Sequence, residues 1–215
     1  MLEVHPPNEP VRGWHDFFVH LATITIGLLI ALSLEGCVEF WQHRHLVHEA
    51  EASMQIEIDA NARELKGALE DVRKEQEFLK NDIAVMKKIM ANPKVPNTED
   101  MRVDFRIRTF ADVSWKTAQS TGALSYMPYE RAQEYSNIYS AQSEIRDAEH
   151  QAVRDTVLSI APFLNSKKGD PNPGGEQAGK IVDRLEVLQG QLIFLESMIN
   201  SLDDEYKKFL AAHPD

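Results

Sequence analysis

From Phe17 to Leu34 (FFVHLATITIGLLIALSL) the chain carries no formal charge, and Trp14 and Trp41 bracket this run. As a helix, Trp14 to Trp41 would span roughly 40 Å, the thickness of a bilayer with its headgroup layers, with a tryptophan near each interface. The pattern predicts a transmembrane helix over 14–38. A short extended tail over 1–13 precedes it, where Pro6, Pro7 and Pro10 remove backbone donors.

Beyond the run the apolar positions change period. Ile58, Ala62, Leu65, Leu69, Val72, Gln76, Leu79, Ile83, Met86 and Met90 recur at alternating steps of four and three, the seam of a helix that packs on partner helices. No proline and one glycine, Gly67, fall between Val38 and Asn92, so the anchor is expected to continue into this helix, which Asn92-Pro93 ends. A second seam runs through Ala132, Tyr135, Ile138, Gln142, Ile145, Ala148, Ala152 and Thr156, with Pro128 opening the helix and Pro162 closing it. The third is the most regular: Ala178, Ile181, Leu185, Leu188, Leu192, Leu195, Ile199, Leu202, Tyr206 and Phe209. Val103, Phe105 and Ile107 alternate with polar residues in a strand-like period without a second strand, and are read as extended chain lying along the helices. Asp112 can cap a short helix carrying Trp115 and Ala118, with Gly122 ending it.

The expected fold is all-α. One N-terminal transmembrane helix continues into an antiparallel three-to-four-helix bundle or coiled-coil domain over 39–215, with helices at about 39–92, 113–121, 128–161 and 176–211. Three seams of similar length gain most by burying one another. Gln76 and Gln142 within the seams could instead fix the register of a dimer.

The chain has 215 residues, 43% hydrophobic and 27% charged, with a net charge of −11. That acidic excess lies mostly beyond the anchor and would repel phosphate backbones, which excludes nucleic acid as the expected partner. Cys37 is the single cysteine, so no disulfide framework or thiolate metal cluster is expected. Leu34-Glu35-Gly36-Cys37 has some features of a lipoprotein cleavage site, but Glu35 and the long acidic leader depart from that pattern. Arg12 and Arg44 flank the two ends of the span almost evenly. The favoured topology is a bacterial inner-membrane signal anchor with a periplasmic C-terminal domain.

Three clusters carry candidate chemistry. Thr23, Gly27 and Ala31 make one face of the anchor small enough for close approach of another helix. His45, His48 and Glu49 share a helical face at a spacing suited to a metal ion, although a solvated interface segment is the favoured reading and no metal or cofactor is assigned. Phe105, Phe110, Trp115, Tyr126, Tyr129, Tyr135 and Tyr139 could line a small-molecule pocket, or plug the end of a core. No catalytic motif appears, which points to a non-enzyme.

The opening LEVHPPNEP, the core ATITIGLLIAL followed by Glu35, and the tract HRHLVHEAE resemble a family of small bacterial proteins with a single N-terminal membrane helix. The stretch Trp115-Lys-Thr-Ala118-Gln-Ser-Thr121-Gly122-Ala-Leu124 is similar to a W-x-x-A-x-x-T-G-x-L signature of the same group. The resemblance implies a membrane-anchored helical protein and brings no assigned activity. The function expected is an adaptor, scaffold or sensor-like subunit that acts by protein–protein association. Its partners would be the lipid bilayer, other membrane or envelope proteins, or further copies of itself. The alternative is a small-molecule-sensing helical module with an aromatic pocket around 105–139.

Overall fold

The computed structural model describes residues 13–92, 108–164 and 175–214. Among these the fold is all-helical: α1 Trp14–Ala91, α2 Val113–Ser120, α3 Tyr129–Leu164 and α4 Gly175–Ala212, with a single 3-10 turn over Ala123–Ser125. The strand-like stretch at 103–107 lies outside the described residues. The chain forms two compact units, Met1–Glu49 and Ala50–Asp215.

In the first unit, α1 holds one stretch long and apolar enough to cross a membrane, with a mean hydropathy of 2.2 and none of it buried. Its hydroxyls donate to the carbonyl one turn back: Thr23 to Val19 at 2.8 Å, Thr25 to Leu21 at 2.8 Å and Ser33 to Leu29 at 2.7 Å. The hydroxyl donors of these three side chains are therefore satisfied within the helix itself.

In the second unit, the core is built from α1, α3 and α4. All ten seam positions expected on α4 are buried, from Ala178 to Phe209. On α3, Tyr135, Ile138, Gln142, Ile145, Ala152 and Thr156 are buried as expected, whereas Glu149 takes the inner place expected for Ala148. On α1, half of the expected seam is displaced. Ile58, Leu65, Val72, Leu79 and Met86 face inward, but the alternating column is Asn61, Ala68, Glu75, Asp82 and Ile89. Ala62, Leu69 and Gln76 are half-buried and Met90 is exposed, while Ile83 is buried beside Asp82. The reason is that α1 has neighbours on two sides. Gln55 donates to the His213 carbonyl oxygen at 2.8 Å and Gln76 to that of Leu192 at 3.1 Å, so this flank meets α4. The flank of Glu57, Asn61 and Glu64 meets the chain just before α2 and the first turn of α2.

Polar contacts give the order of the helices. Arg131 pairs with Glu51 at 3.2 Å and Tyr139 donates to Glu57 at 2.8 Å, so residue numbers on α1 and α3 rise together. Along α4 they run the other way, with Arg73 on Glu196 and Lys87 on Glu186, each at 2.7 Å. Between α3 and α4, Gln142 donates to the Tyr206 hydroxyl at 2.8 Å and Gln191 to Asp155 at 2.6 Å.

Pro162 does not close α3, which continues to Leu164. A proline there supplies no N–H to the carbonyl four residues back. That carbonyl belongs to Leu158, and Arg184 of α4 donates to it at 2.9 Å. A neighbouring helix thus satisfies the acceptor that the proline leaves open.

Candidate functional site

The densest convergence of polar and aromatic side chains lies where residues 57–71 of α1 meet residues 108–112, α2 and the first half of α3. The chain that leaves α1 at Asn92 is back beside Asn61 by Ala111. Asn61, 3% exposed, donates to the Ala111 carbonyl at 2.8 Å and accepts from its N–H at 2.9 Å, so one amide satisfies both backbone groups of Ala111. Arg108 donates to Asp71 at 2.7 Å and to Glu64 at 3.1 Å. Its guanidinium lies against Gly67, where an added Cβ would stand 2.5 Å from Cζ. The glycine between the two acids therefore leaves room for the arginine to lie flat on the helix. The hydrogen bond from Arg108 to Asp71 is the chief cause that holds its pKa above the ordinary value.

Asp112 stands at the N-cap of α2 as expected, but its side chain makes no capping bond. Its carboxylate accepts instead from Lys116 at 2.9 Å and Arg146 at 3.1 Å. Burial alone would raise its pKa, and these two partners hold it below the usual carboxylate value. The cap is supplied by α1: Glu57 accepts the Ser114 N–H at 2.9 Å through one oxygen and the Tyr139 hydroxyl at 2.8 Å through the other. Tyr139 is buried, and Trp115 of α2 stacks on it with centroids 5.2 Å apart and planes 12° from parallel. Burial and the Glu57 hydrogen bond push the Tyr139 pKa well up, so the phenol stays a proton donor to Glu57.

This geometry accounts for four of the five W-x-x-A-x-x-T-G-x-L residues. Trp115 docks α2 on α3 and Ala118 is buried one turn on. Thr121 accepts its own closing role at the C-cap, its hydroxyl donating to the Thr117 carbonyl at 2.9 Å. Gly122 adopts φ +77°, a left-handed conformation that favours glycine, and turns the chain into the 3-10 turn.

Of the seven aromatics offered as pocket lining or core plug, the six that are described do not share one environment. Phe110, Tyr135 and Tyr139 are core residues, whereas Tyr126 and Tyr129 are 51% and 79% exposed. Phe105 lies outside the described residues. Tyr135 packs on Phe209 at 5.2 Å, and burial pushes its pKa up to about 12. An open groove of about 380 Å³ lies on the α3–α4 surface beside Phe209 and His213, lined by none of the seven. Of the histidine cluster, His45 meets Glu49 at 3.1 Å and stacks on Trp41 with centroids 5.7 Å apart. No group of three or more potential metal ligands converges among the described residues, so His48 does not complete a set with them. Thr23, Gly27 and Ala31 are exposed on α1, and Trp14 and Trp41 are exposed at 79% and 69%.

Asn61, Glu57, Arg108 and Arg146 were not singled out by sequence pattern. Asn61 had a readable signal, a polar residue three places after a seam isoleucine. The chain matches no family model, no curated protein and no solved structure.

Proposed function

We propose that this chain is a membrane-anchored helical interaction protein, an adaptor, scaffold or sensor-like subunit that makes no covalent chemistry. Its place is the bacterial inner membrane, with residues 39–215 on the periplasmic side. The observation that carries the reading is the uninterrupted exposure of the apolar stretch between Trp14 and Trp41. An apolar surface of that length is unstable in water and stable in lipid. The Thr23, Gly27 and Ala31 face suits helix pairing there, since a Cβ added at Gly27 would meet nothing within 4 Å.

Support for a bundle beyond the anchor comes from the order of its polar contacts. α4 runs against both α1 and α3, which run alike, and this order supports antiparallel packing of α4. The junction at Glu57 and Tyr139 uses its donors and acceptors to hold elements together, which favours association over ligand sensing. The test is fractionation followed by capture. The full-length chain should stay with membranes through alkaline carbonate extraction and bring crosslinked envelope proteins or copies of itself with it in mild detergent. Recovery in the soluble fraction, or recovery without any crosslinked partner, overturns the proposal.

A further inference from the structure

Just past the apolar stretch, α1 presents two unlike sides. His43, Leu46 and Val47 are half-buried, whereas Trp41, Arg44, His45 and His48 on the opposite side are exposed. Acids avoid the exposed side: Glu35, Glu39 and Glu49 stand roughly 180°, 140° and 140° around the helix from Arg44. The next acid that faces the same way, Glu51, is held by Arg131 at 3.2 Å. Arg44 is also the exception among the arginines described. Each of the others donates to a carboxylate, amide or carbonyl oxygen of the chain, whereas Arg44 makes no hydrogen bond or ion pair among the described residues. The N–H groups of Trp41 and His48 likewise meet no acceptor among them. His45 differs, because it stacks on Trp41 with planes 7° from parallel and meets Glu49 at 3.1 Å. That stack packs a ring on the indole and leaves the indole N–H unused.

We propose that Trp41, Arg44 and His48 bind the phosphate of an anionic phospholipid in the leaflet at this end of the span. The level fits. Tryptophan settles in the headgroup layer, and Arg44 lies one turn, about 4.5 Å, beyond Trp41. Side chains on a helix lean back toward its N-terminus, so a guanidinium carried at position 44 reaches the lipid phosphates around the indole. The chemistry fits as well. A guanidinium offers a planar fork of donors that matches a phosphate, and the indole and the imidazole each add an N–H. An arginine that no acid of the chain neutralises keeps its full charge for that phosphate. With no free carboxylate on this side between residues 35 and 51, nothing receives the ammonium of an ethanolamine or choline headgroup. The site therefore selects a lipid whose phosphate charge is uncompensated, such as a phosphatidylglycerol.

The inference rests on the membrane-anchored reading and deepens it by naming the lipid chemistry that the anchor recognises. Its test uses the full-length chain in mild detergent, titrated with phosphatidylglycerol or with phosphatidylethanolamine of the same acyl chains. Bound lipid is counted by native mass spectrometry. The parent chain should prefer phosphatidylglycerol roughly fivefold, the effect of one arginine near an anionic surface. Arg44→Gln should abolish the preference, and Arg44→Lys should keep part of it, because the charge remains without the fork. Trp41→Phe, which keeps the ring and removes the N–H, should weaken binding less than Arg44→Gln does. Lys66→Gln, at an exposed lysine five turns further on, should change nothing. Equal binding of the two lipids, a preference indifferent to Arg44→Gln, an equal loss in Lys66→Gln, or displacement of the lipid by excess inorganic phosphate overturns the site. If the chain still resists carbonate extraction from membranes, the anchored reading survives that failure; recovery in the soluble fraction overturns both.

Discussion

The Glu149 carboxyl is 3% exposed, and among the described residues its Oε2 has no hydrogen-bond partner. Burial pushes its pKa from 4.5 to about 7, and the charge of Arg146 one turn away offsets only part of this. Between those values the folded chain holds a proton that the unfolded chain has released. Its contribution to stability is therefore full below pH 4.5, declines as pH rises through the folded value and is absent well above it. Glu149→Gln should flatten that decline and raise the unfolding free energy at pH 8 by about 3 kcal/mol, measured by denaturant melts from pH 4.5 to 8. An unchanged pH profile would show that the carboxyl reaches solvent. Asn61 makes the opposite case, a buried polar group fully used. Asn61→Ala strands both backbone groups of Ala111 and should lower stability by about 2–3 kcal/mol in the same melts. The sequence could mark Asn61 as a polar residue near a seam, but neither partner could be read from it, because an acid or amide there does not say which distant backbone it will meet.

At the scale of elements, α4 was legible throughout because one column of apolar residues at a regular step leaves a single way to turn the helix. The later half of α1 was not. The column Ala62, Leu69 and Gln76 and the column Asn61, Ala68 and Glu75 differ by one residue, about 100° around the helix. Partners on both flanks decide between them, and those partners are more than a hundred residues away on α4 and dozens away at Ala111. Ala68, 2% exposed, gives a test. Ala68→Leu should destabilise the chain by about 1–3 kcal/mol through overpacking, measured by thermal or chemical denaturation. A neutral or stabilising outcome would return the seam to Leu69. The ends of elements were similarly decided elsewhere. Glu57 of α1 caps α2, and Arg184 of α4 serves the carbonyl that lets α3 pass Pro162.

Over the whole molecule, the sign and placement of charge matter more than any single contact. The apolar stretch carries none between Phe17 and Leu34, while most of the net −11 lies beyond residue 38. Replacing Leu29 and Ile30 together by Arg places two charges near the middle of the span, at roughly 2.5–3.5 kcal/mol each on insertion scales. The double variant should leave the membrane pellet for the soluble or aggregated fraction, followed by carbonate extraction and immunoblotting. Continued membrane retention would mean that something other than this helix holds the chain there.

By itself the sequence determined the helical class, the uncharged N-terminal stretch, the near-complete run of α1 and the inward face of α4. These follow from local period, from the absence of breakers and from charge, which neighbours along the chain suffice to express. Only the tertiary structure decided which column of α1 turns inward, which carboxylate caps α2 and which tyrosines are buried. Each of those is set by packing against residues remote in sequence, and a one-residue choice on a helix costs too little locally to be settled before its partners arrive.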